Sequence, residues 1–351
     1  MKKNKVLQLV TGLNPGGAEK VVLDLSSYLN NHQFDVYVIG LSKYDKLLEV
    51  FLDKGIKTKI LGISKGPVSF FKGIYFVNNF IRDNGIRLVH AHMTHSLIFA
   101  SVLKFFNPGL LIVFTSHNFN LGSKIRFGLV RMLKPFRNAD ILFSKRMQRS
   151  CYRSDALIIP NGIDTNEYNC TVPKNKKFTF ITIGRIEHVK NHKQIIDFAR
   201  ELKNKFEFEI YIVGEGQLKL ELIAYVKERE VGEIVKFLGF RRDIGKLCSQ
   251  SHVFILPSLW EGLPISVLEA GACRLPVIST PVGSIPEILS EDFGYLSDLP
   301  SFAQTMFYVY EHYQEASVKG NALGNLIREK YDLKIVANKH IELYNQLSNN
   351  N

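Results

Sequence analysis

Short apolar runs alternate along the chain with longer segments in which apolar residues recur every three or four positions. KVLQLVTG, residues 5–12, predicts a buried strand, and AEKVVLDLSSYLNN, residues 18–31, places Val22 and Leu25 on one helical stripe. Strand and helix patterns continue to alternate in this way to about residue 160. The alternation predicts a parallel sheet with helices on both faces.

A second block with the same pattern follows a polar stretch. DTNEYNCTVPKNKK, residues 164–177, has no periodicity and predicts a linker. We therefore predict an α/β protein of two Rossmann-like, doubly wound domains, residues 1–164 and 165–330, with a C-terminal helix (331–351) that packs back towards the first domain. Two such domains would face a central cleft at the carboxyl ends of their sheets, where this architecture binds ligands.

Composition adds three constraints. A chain of 351 residues is too long for one typical core and suits two domains. The four cysteines form no CxxC pair, which argues against a zinc site or a disulfide framework and fits a reducing compartment. No run of about 18 apolar residues is present, so the sequence predicts no membrane span. The first apolar run is too short for a signal peptide.

The positive charge is concentrated in one half of the chain. Residues 1–160 hold 23 Lys and Arg against 9 Asp and Glu, a net charge of +14, whereas the remainder carries about −2 of the total of +12. This asymmetry predicts that the first domain meets something anionic.

Two carboxylates stand eight positions apart in EGLPISVLE, Glu261 to Glu269. Pro264 suits the first turn of a helix, whose free N–H groups and positive dipole end could bind a diphosphate, and Gly262 would let a ligand approach the backbone. Glu269 could accept hydrogen bonds from the hydroxyls of a ribose, and Glu261 from those of a sugar. The alternative is a helix that merely carries acidic residues near its start.

Cations and glycines follow other predicted strands. Arg185 and Lys190 in GRIEHVKN lie between a strand and a helix, where two cations suit an anion, although a solvated helix start is the alternative. GLNPGGAE, residues 12–19, could approach a phosphate or sugar closely, and a plain tight turn is equally consistent with it.

Together these features resemble glycosyltransferase family 4, the retaining nucleotide-sugar-dependent enzymes of the GT-B fold. The resemblance runs nearly end to end and keeps the family's motif order. The motifs that carry it are GGAE (16–19), VHAH (89–92), TSHN (115–118), PNGID (160–164), GRIEHVKN (184–191), VGEGQ (213–217), FLGF (237–240), PSLWEGLPISVLEA (257–270), PVIST (276–280) and GSIPEI (283–288).

The resemblance implies transfer of a sugar from a nucleoside-diphosphate sugar, UDP being the commonest carrier, to an acceptor hydroxyl with retained configuration. It implies no cofactor besides this co-substrate and no metal. The residues implied as catalytic are Glu261, His117, Arg185 and Lys190. The donor-binding residues implied are Gly16, Gly17, Arg185, Lys190, Glu261, Gly262, Leu263, Pro264 and Glu269, with His92 and Asn118 on the acceptor side.

Two local features need separate interpretation. His90 and His92 in HAH share one strand face, which could suit a metal, but the resemblance places His92 in the acceptor side and makes His90 structural. Trp260 stands where the family usually has a small residue before the first glutamate. Donor identity therefore does not carry over from the family.

KIRFGLVRMLKPFR, residues 124–137, predicts a helix with a basic arc. We expect this arc to bind an anionic membrane surface. An ordinary packed helix with a solvated basic face is the alternative, and nucleic-acid binding is disfavoured because no such motif accompanies the charge. The predicted membrane-binding residues are Lys124, Arg126, Phe127, Arg131, Lys134 and Arg137. The predicted apolar face is Ile125, Leu129, Met132, Leu133 and Phe136.

A membrane-docked first domain implies a lipid-linked glycan acceptor. The expected setting is the assembly of capsule, exopolysaccharide or lipopolysaccharide by a cytoplasmic protein associated with the inner face of the cell membrane. Two alternatives remain: a nucleotide-sugar epimerase of the same fold, and a non-catalytic nucleotide-sugar-binding partner subunit. The second would be expected to lose members of the set Arg185, Lys190, Glu261 and Glu269, all of which are present.

Overall fold

The computed structural model describes residues 3–117, 119, 121–169 and 172–349, which fold into two compact units. One unit comprises Met1–Gly162 together with Leu333–Asn351, and the other is Ile163–Asp332. The chain therefore leaves the first unit once and returns to it at the C-terminus.

The first unit is built on a parallel sheet whose strands run in the order β3-β2-β1-β4-β5-β6-β7. Because the order reverses between β1 and β4, the loops after these strands diverge there and leave a crevice, the usual ligand position in such sheets. The strands are β1 (Asn4–Val10), β2 (Phe34–Gly40), β3 (Lys57–Ile60), β4 (Leu88–His92), β5 (Leu111–Thr115), β6 (Ala139–Leu142) and β7 (Leu157–Ile158). The helices between them are α1 (Gly17–Asn31), α2 (Leu48–Asp53), α3 (Pro67–Asn84), α4 (Met93–Phe106) and α5 (Lys124–Met132).

The second unit repeats this architecture with a parallel sheet in the order β10-β9-β8-β11-β12-β13. Its order reverses between β8 and β11. The strands are β8 (Phe178–Ile183), β9 (Phe208–Val213), β10 (Val235–Gly239), β11 (Val253–Leu256), β12 (Val277–Ser279) and β13 (Tyr295–Leu296). The helices are α6 (His192–Leu202), α7 (Lys219–Glu228), α8 (Ile244–Gln250), α9 (Ile265–Ala272), α10 (Phe302–Glu311) and α11 (Tyr313–Lys330).

The central strands are buried along their whole length because both of their faces are covered, and they are mostly apolar apart from His90 and His92 in β4 and Thr115 in β5. Every residue of β4, β5 and β11 is buried, as continuous apolar runs in parallel sheets predict. The last helix, α12 (Leu333–Asn349), packs against α1 in the first unit. Its Tyr344 is fully buried and meets Phe34 edge to face, with ring centroids 5.6 Å apart. The C-terminal segment is thus part of the first unit's core.

The stretch predicted as a linker is instead folded at its start. Thr165–Tyr168 forms one short 3-10 helix, and both end residues are buried in the second unit. The Thr165 hydroxyl donates a hydrogen bond to Asp332 Oδ2 at 2.6 Å, which ties the entry and exit of this unit together. Cys170 and Thr171 of this stretch lie outside the described residues.

The predicted apolar face of α5 is only partly correct: Leu133 is buried and Leu129 and Phe136 are partly buried, but Ile125 and Met132 are exposed. The helix ends at Met132, and Lys134–Phe136 forms a separate 3-10 turn around Pro135. Ile125 and Met132 are 76% and 63% exposed, whereas Val130 is fully buried, because α5 packs on α4 through a different side from the one that the long wheel predicts. Within the described residues, no helix is both long and apolar enough to cross a membrane.

Arg137 is also not a membrane-facing residue. Its side chain is fully buried, with Nη1 3.2 Å from Asp140 Oδ2 and Nη2 donating to the Cys151 carbonyl at 2.8 Å. Burial lowers the pKa of Arg137 and raises that of Asp140, while each charge stabilises the other. The pair exists because the short turn after Lys134 directs the guanidinium inward, where a carboxylate must accompany it.

We predict that Asp140→Ala lowers the free energy of unfolding by about 3–5 kcal/mol, because it leaves a buried guanidinium without its anion. The matched control is Asp155→Ala, which removes a largely exposed carboxylate paired with Arg153 and should cost at most about 1 kcal/mol. Urea denaturation followed by circular dichroism measures both. Equal losses in the two variants would contradict a structural role for the buried pair.

Candidate functional site

The point of strand reversal in the second unit brings together Lys190 and Glu261. Lys190 ends a short 3-10 helix (His188–Lys190) after β8, and Glu261 follows β11, the neighbouring strand. Lys190 Nζ lies 2.6 Å from Glu261 Oε1, and the two side chains are only 17% and 10% exposed. The Ser258 hydroxyl donates to the same oxygen at 2.7 Å. One ammonium and one hydroxyl thus hold this carboxylate.

The local backbone explains why these two loops meet. A Cβ at Gly184 would lie 3.0 Å from Lys190 Cε, so the absence of a side chain there makes room for the stem of the lysine over the strand end. The Leu259 amide donates to the Val189 carbonyl at 2.9 Å, joining the loop after β11 to the loop after β8. The ion pair therefore lies between two loops that are already joined through their backbones.

A third loop, after β12, supports Glu261 from the other side. Gly283 has φ +60°, and a Cβ there would lie 2.2 Å from the Glu261 carbonyl oxygen. The Ser284 amide donates to the Gly262 carbonyl at 3.0 Å. Only glycine fits this position without strain, which explains on steric grounds why the motif GSIPEI begins with glycine.

Helix α9 begins at Ile265, with Pro264 as its N-cap residue in an extended conformation rather than in the first turn. All residues of the helix are buried, including Glu269. Tyr168 donates its hydroxyl proton to Glu269 Oε1 at 2.7 Å, and both side chains are buried. Sequence reasoning missed Tyr168 because it lies 101 residues away in the supposed linker.

Arg185 is not drawn into this cluster. Its side chain is 61% exposed, and Nη1 pairs with Glu187 at 3.0 Å. Trp260 is exposed beside His188, with ring centroids 6.1 Å apart. The strand ends of the second unit thus combine a partly buried ion pair, an exposed arginine and a helix start, which suits an anionic ligand with adjacent hydroxyl groups.

The glycine loop in the first unit stands at the corresponding reversal. Gly16 is the N-cap of α1 in an extended conformation, and Gly17 is the first residue of the helix. A Cβ at Gly16 would lie 2.5 Å from Glu19 Oε2. The loop therefore brings bare backbone to the carboxyl end of β1, as its composition predicts.

His92 ends β4, beside this loop, and His117 follows the next strand, β5. Their rings are hydrogen-bonded, with His92 Nδ1 2.9 Å from His117 Nε2. Burial lowers the pKa of His117 to about 3 and holds the pKa of His92 well below its usual value, so both rings are neutral near pH 7. Asn118, predicted beside them, lies outside the described residues.

His90 bonds to protein groups: Nδ1 lies 2.6 Å from the Tyr344 hydroxyl and Nε2 lies 2.7 Å from Thr115 Oγ1. Among the residues that the structure describes, no three His, Cys, Asp or Glu side chains are grouped so that they could hold a metal ion.

Most of the predicted basic arc is exposed. Lys124, Arg126 and Arg131 project from α5, Lys134 is partly exposed and Phe127 is half-buried. Exposed apolar side chains accompany them on α5 and on the end of α4, where Phe105 meets Phe136 with ring centroids 5.0 Å apart. The surface is therefore basic and also carries four exposed apolar side chains: Phe105, Phe106, Ile125 and Met132.

Two family descriptions together match residues 15–307 of the chain. Residues 15–167 match the family described as "Glycosyltransferase Family 4", and residues 166–307 match "Glycosyl transferases group 1". The two matches meet within a few residues of the boundary between the structural units.

Two relatives are similar over most of their length. A UDP-Gal:alpha-D-GlcNAc-diphosphoundecaprenol alpha-1,3-galactosyltransferase of Escherichia coli is 24% identical, covering 84% of this chain and 84% of its own. The amylovoran biosynthesis glycosyltransferase AmsD of Erwinia amylovora is 24% identical, covering 85% of this chain and 86% of its own. Among solved structures, Anabaena HepE in complex with UDP-glucose superposes with a TM-score of 0.82 at 18% identity, covering 97% of this chain and 99% of its own.

We predict that His117→Gln makes stability less sensitive to acid. In the unfolded chain this histidine binds a proton below about pH 6.5, whereas in the folded protein it does so only near pH 3, so its contribution is complete above pH 6.5 and is lost as pH falls. The variant should reduce the slope of unfolding free energy against pH by up to about 1.4 kcal/mol per pH unit between about pH 6 and 4. Urea titrations at several pH values measure it. An unchanged slope would mean that His117 is not buried as a neutral ring.

Proposed function

The chain belongs to the glycosyltransferases of family 4. We propose that it transfers the sugar of a UDP-sugar to a hydroxyl of a lipid-linked glycan, with retention of configuration at the anomeric carbon. The coarser statement is established by similarity: the chain is a glycosyltransferase of polysaccharide biosynthesis. The donor, the acceptor, the stereochemistry and the residue roles are the proposal.

The observation that carries the proposal is the Lys190–Glu261 pair beside the start of α9. A diphosphate at this helix start would receive backbone N–H groups, the ammonium of Lys190 and the exposed guanidinium of Arg185. The solvent-exposed pair with Glu187 holds Arg185 only weakly, so its side chain would be able to leave this partner and turn towards the ligand. Positive charge here would also stabilise the leaving UDP as its bond to the sugar breaks.

Glu261 then holds the sugar rather than attacking it. Its Oε1 already receives Lys190 and Ser258, which neutralise the carboxylate and fix its orientation. A carboxylate held in this way is a poor nucleophile but a good fixed acceptor for sugar hydroxyls. We therefore favour a front-face reaction, in which the anomeric bond to phosphate breaks, the acceptor oxygen bonds on the same face, and its proton passes to the departing phosphate.

Glu269 is suited to the ribose of the donor. The buried Tyr168 hydroxyl donates to the carboxylate of Glu269 in α9 and restricts its orientation. A planar carboxylate in a fixed orientation can accept hydrogen bonds from the two neighbouring hydroxyls of a ribose. Gly262, Leu263 and Pro264 would supply the backbone that lies between the two carboxylates.

UDP is favoured as the carrier by the proteins that this chain resembles. The E. coli relative uses UDP-Gal by its name, and HepE is described with UDP-glucose. The same relative acts on a diphosphoundecaprenol-linked sugar, which supports a lipid-linked acceptor here. His92 would lie on the acceptor side, while the resemblance to the family assigns Gly16 and Gly17 to donor binding and His117 to catalysis.

A lipid-linked acceptor would lie at a membrane, and the basic surface on α5 would bind that membrane. Lys124, Arg126 and Arg131 would meet anionic headgroups, at about 1 kcal/mol per well-placed cation, while the exposed Ile125 and Met132 enter the interface. Arg137 takes no part, because it is buried against Asp140.

We predict that Glu269→Ala raises the Kd for UDP about 10- to 100-fold, because charge-assisted hydrogen bonds to the ribose are lost. Tyr168→Phe should raise it less, since it removes only the group that orients Glu269. Glu261→Ala should instead lower kcat, with little change in the Kd for UDP. Calorimetry and steady-state assays measure these, with exposed Glu233→Ala as the control. If Glu269→Ala binds UDP like the Glu233→Ala control, the ribose assignment fails.

We predict that the protein sediments with vesicles containing anionic phospholipid, and that Arg126→Glu/Arg131→Glu abolishes this. The matched control, Lys43→Glu/Lys46→Glu, makes the same change in net charge at exposed residues elsewhere in the first unit. It should retain most of the binding, because the wild-type interaction depends on the local surface of α5. Equal losses in both variants would indicate a general charge effect, and no sedimentation of the wild type at low salt would refute membrane binding.

A further inference from the structure

Side chains far apart in sequence form one continuous hydrogen-bonded chain inside the first unit. Every link joins buried or half-buried groups, and the chain connects the C-terminal helix α12 to the end of the β5 strand. In order, its members are Thr115, His90, Tyr344, Gln8, His92 and His117.

Such a chain can run in only two directions, because each neutral imidazole has one donor and one acceptor nitrogen. If one ring reverses, its neighbours must reverse too. The direction decides which nitrogen of the terminal residue, His117, carries the proton. It therefore decides whether His117 offers a lone pair or an N–H group at Nδ1.

The amide of Gln8 determines the direction, since it is the member whose donor and acceptor atoms differ. Gln8 Oε1 lies 2.7 Å from His92 Nε2, and Gln8 Nε2 lies 3.4 Å from the Tyr344 hydroxyl. The short contact fits an N–H group donating to an amide oxygen. The contact of 3.4 Å is long for either bond, but in the reversed amide it would be an O–H···O bond, whose usual range of 2.5–3.0 Å lies further from it than the 2.7–3.2 Å of an N–H···O bond.

The orientation of the Gln8 amide fixes the donors and acceptors on both sides of it in the hydrogen-bonded chain. His92 donates from Nε2 to Gln8, so its Nδ1 is an acceptor and must receive the proton of His117 Nε2 at 2.9 Å. On the other side of Gln8, the Tyr344 hydroxyl accepts from the Gln8 amide and donates to His90 Nδ1 at 2.6 Å. His90 Nε2 then donates to Thr115. All links agree with a single direction.

We propose that this chain fixes His117 as the Nε2–H tautomer, so that its Nδ1 lone pair accepts a hydrogen bond from a hydroxyl of the bound substrate. Gln8 and Tyr344 are then positioning residues that act on the substrate through His92 and His117. The tautomer follows from the geometry alone, and only the hydroxyl ligand rests on the proposed function. A ligand group at this position must be a donor, because an acceptor would meet a second lone pair.

The neutrality of the rings is what keeps the direction fixed. A protonated His92 would donate from both nitrogens and force His117 to accept at Nε2, which would reverse its tautomer. Burial opposes this protonation at His90 and His92 alike. The chain therefore transmits orientation without carrying a charge.

The direct test is nitrogen-15 NMR of the full-length protein labelled at histidine, without any substrate. Loss of one signal set in His117→Gln assigns the resonances of His117. We expect a protonated Nε2 and an unprotonated Nδ1 at neutral pH. A protonated Nδ1, or a ring protonated at both nitrogens, would overturn the proposal.

A second test asks whether the distant members set this state. Tyr344→Phe removes the acceptor of the Gln8 amide and lets it turn, so the His117 spectrum should change from one tautomer to a mixture. Tyr37→Phe is the control, because Tyr37 is also a buried tyrosine of the first unit, and its hydroxyl donates to Asp35 outside the hydrogen-bonded chain. An unchanged His117 tautomer in folded Tyr344→Phe would refute the positioning role, while the wild-type spectrum remains informative if this variant does not fold.

Kinetics separate this inference from the proposed function. If both hold, Tyr344→Phe lowers kcat/KM about tenfold, the equivalent of one hydrogen bond, and Tyr37→Phe does not. If the spectra agree but no sugar is transferred, the tautomer assignment survives and the proposed function fails. If sugar is transferred while His117 carries its proton on Nδ1, the opposite holds.

Discussion

The ion pair between Lys190 and Glu261 is the interaction on which the arrangement of the second unit's site depends. Burying either charge alone would be costly, and together they meet at 2.6 Å with a serine hydroxyl as the third partner. The pair joins the loops that follow β8 and β11, on the two sides of the strand reversal. It thereby holds a cation and a carboxylate in a fixed, partly buried position, which is the preorganisation that the proposed role in catalysis requires.

Close backbone packing makes this pair possible. Gly184 leaves space for the lysine stem, and Gly283 lies against the carbonyl of Glu261 where no side chain fits. In the first unit the comparable constraint comes from the C-terminal helix. Tyr344 is 336 residues from Gln8 of β1 in sequence, yet the two side chains are hydrogen-bonded. Gln8 in turn contacts His92 at the end of β4, and His92 contacts His117 after β5. Both units thus place polar groups at the strand ends through contacts that bypass chain order.

The sequence predicts the features that depend on local periodicity and on spacing. Apolar runs and helical stripes predict both parallel sheets, and the motif order predicts which loops hold Lys190 and Glu261. Contacts between distant residues escape such reasoning: Tyr168 in a polar stretch gives no sign that it reaches Glu269, and nothing local links Tyr344 to His90. The prediction of the α5 face was wrong at Ile125 and Met132 for a related reason, since the helix ended before Pro135 and packing on α4 decided which side was buried. Arg137 looked like part of a basic arc because its buried partner, Asp140, belongs to the next strand.

The most direct test of the proposed donor site is calorimetric titration of the wild-type protein and Lys190→Ala with UDP, with GDP and ADP for comparison. We predict that UDP binds the wild type and that the variant binds it at least about tenfold more weakly, since a charge-assisted contact to the diphosphate is worth about 1.5–3 kcal/mol. Binding of UDP with equal affinity by both proteins, or no binding of any nucleoside diphosphate, would contradict a donor site built around this ion pair.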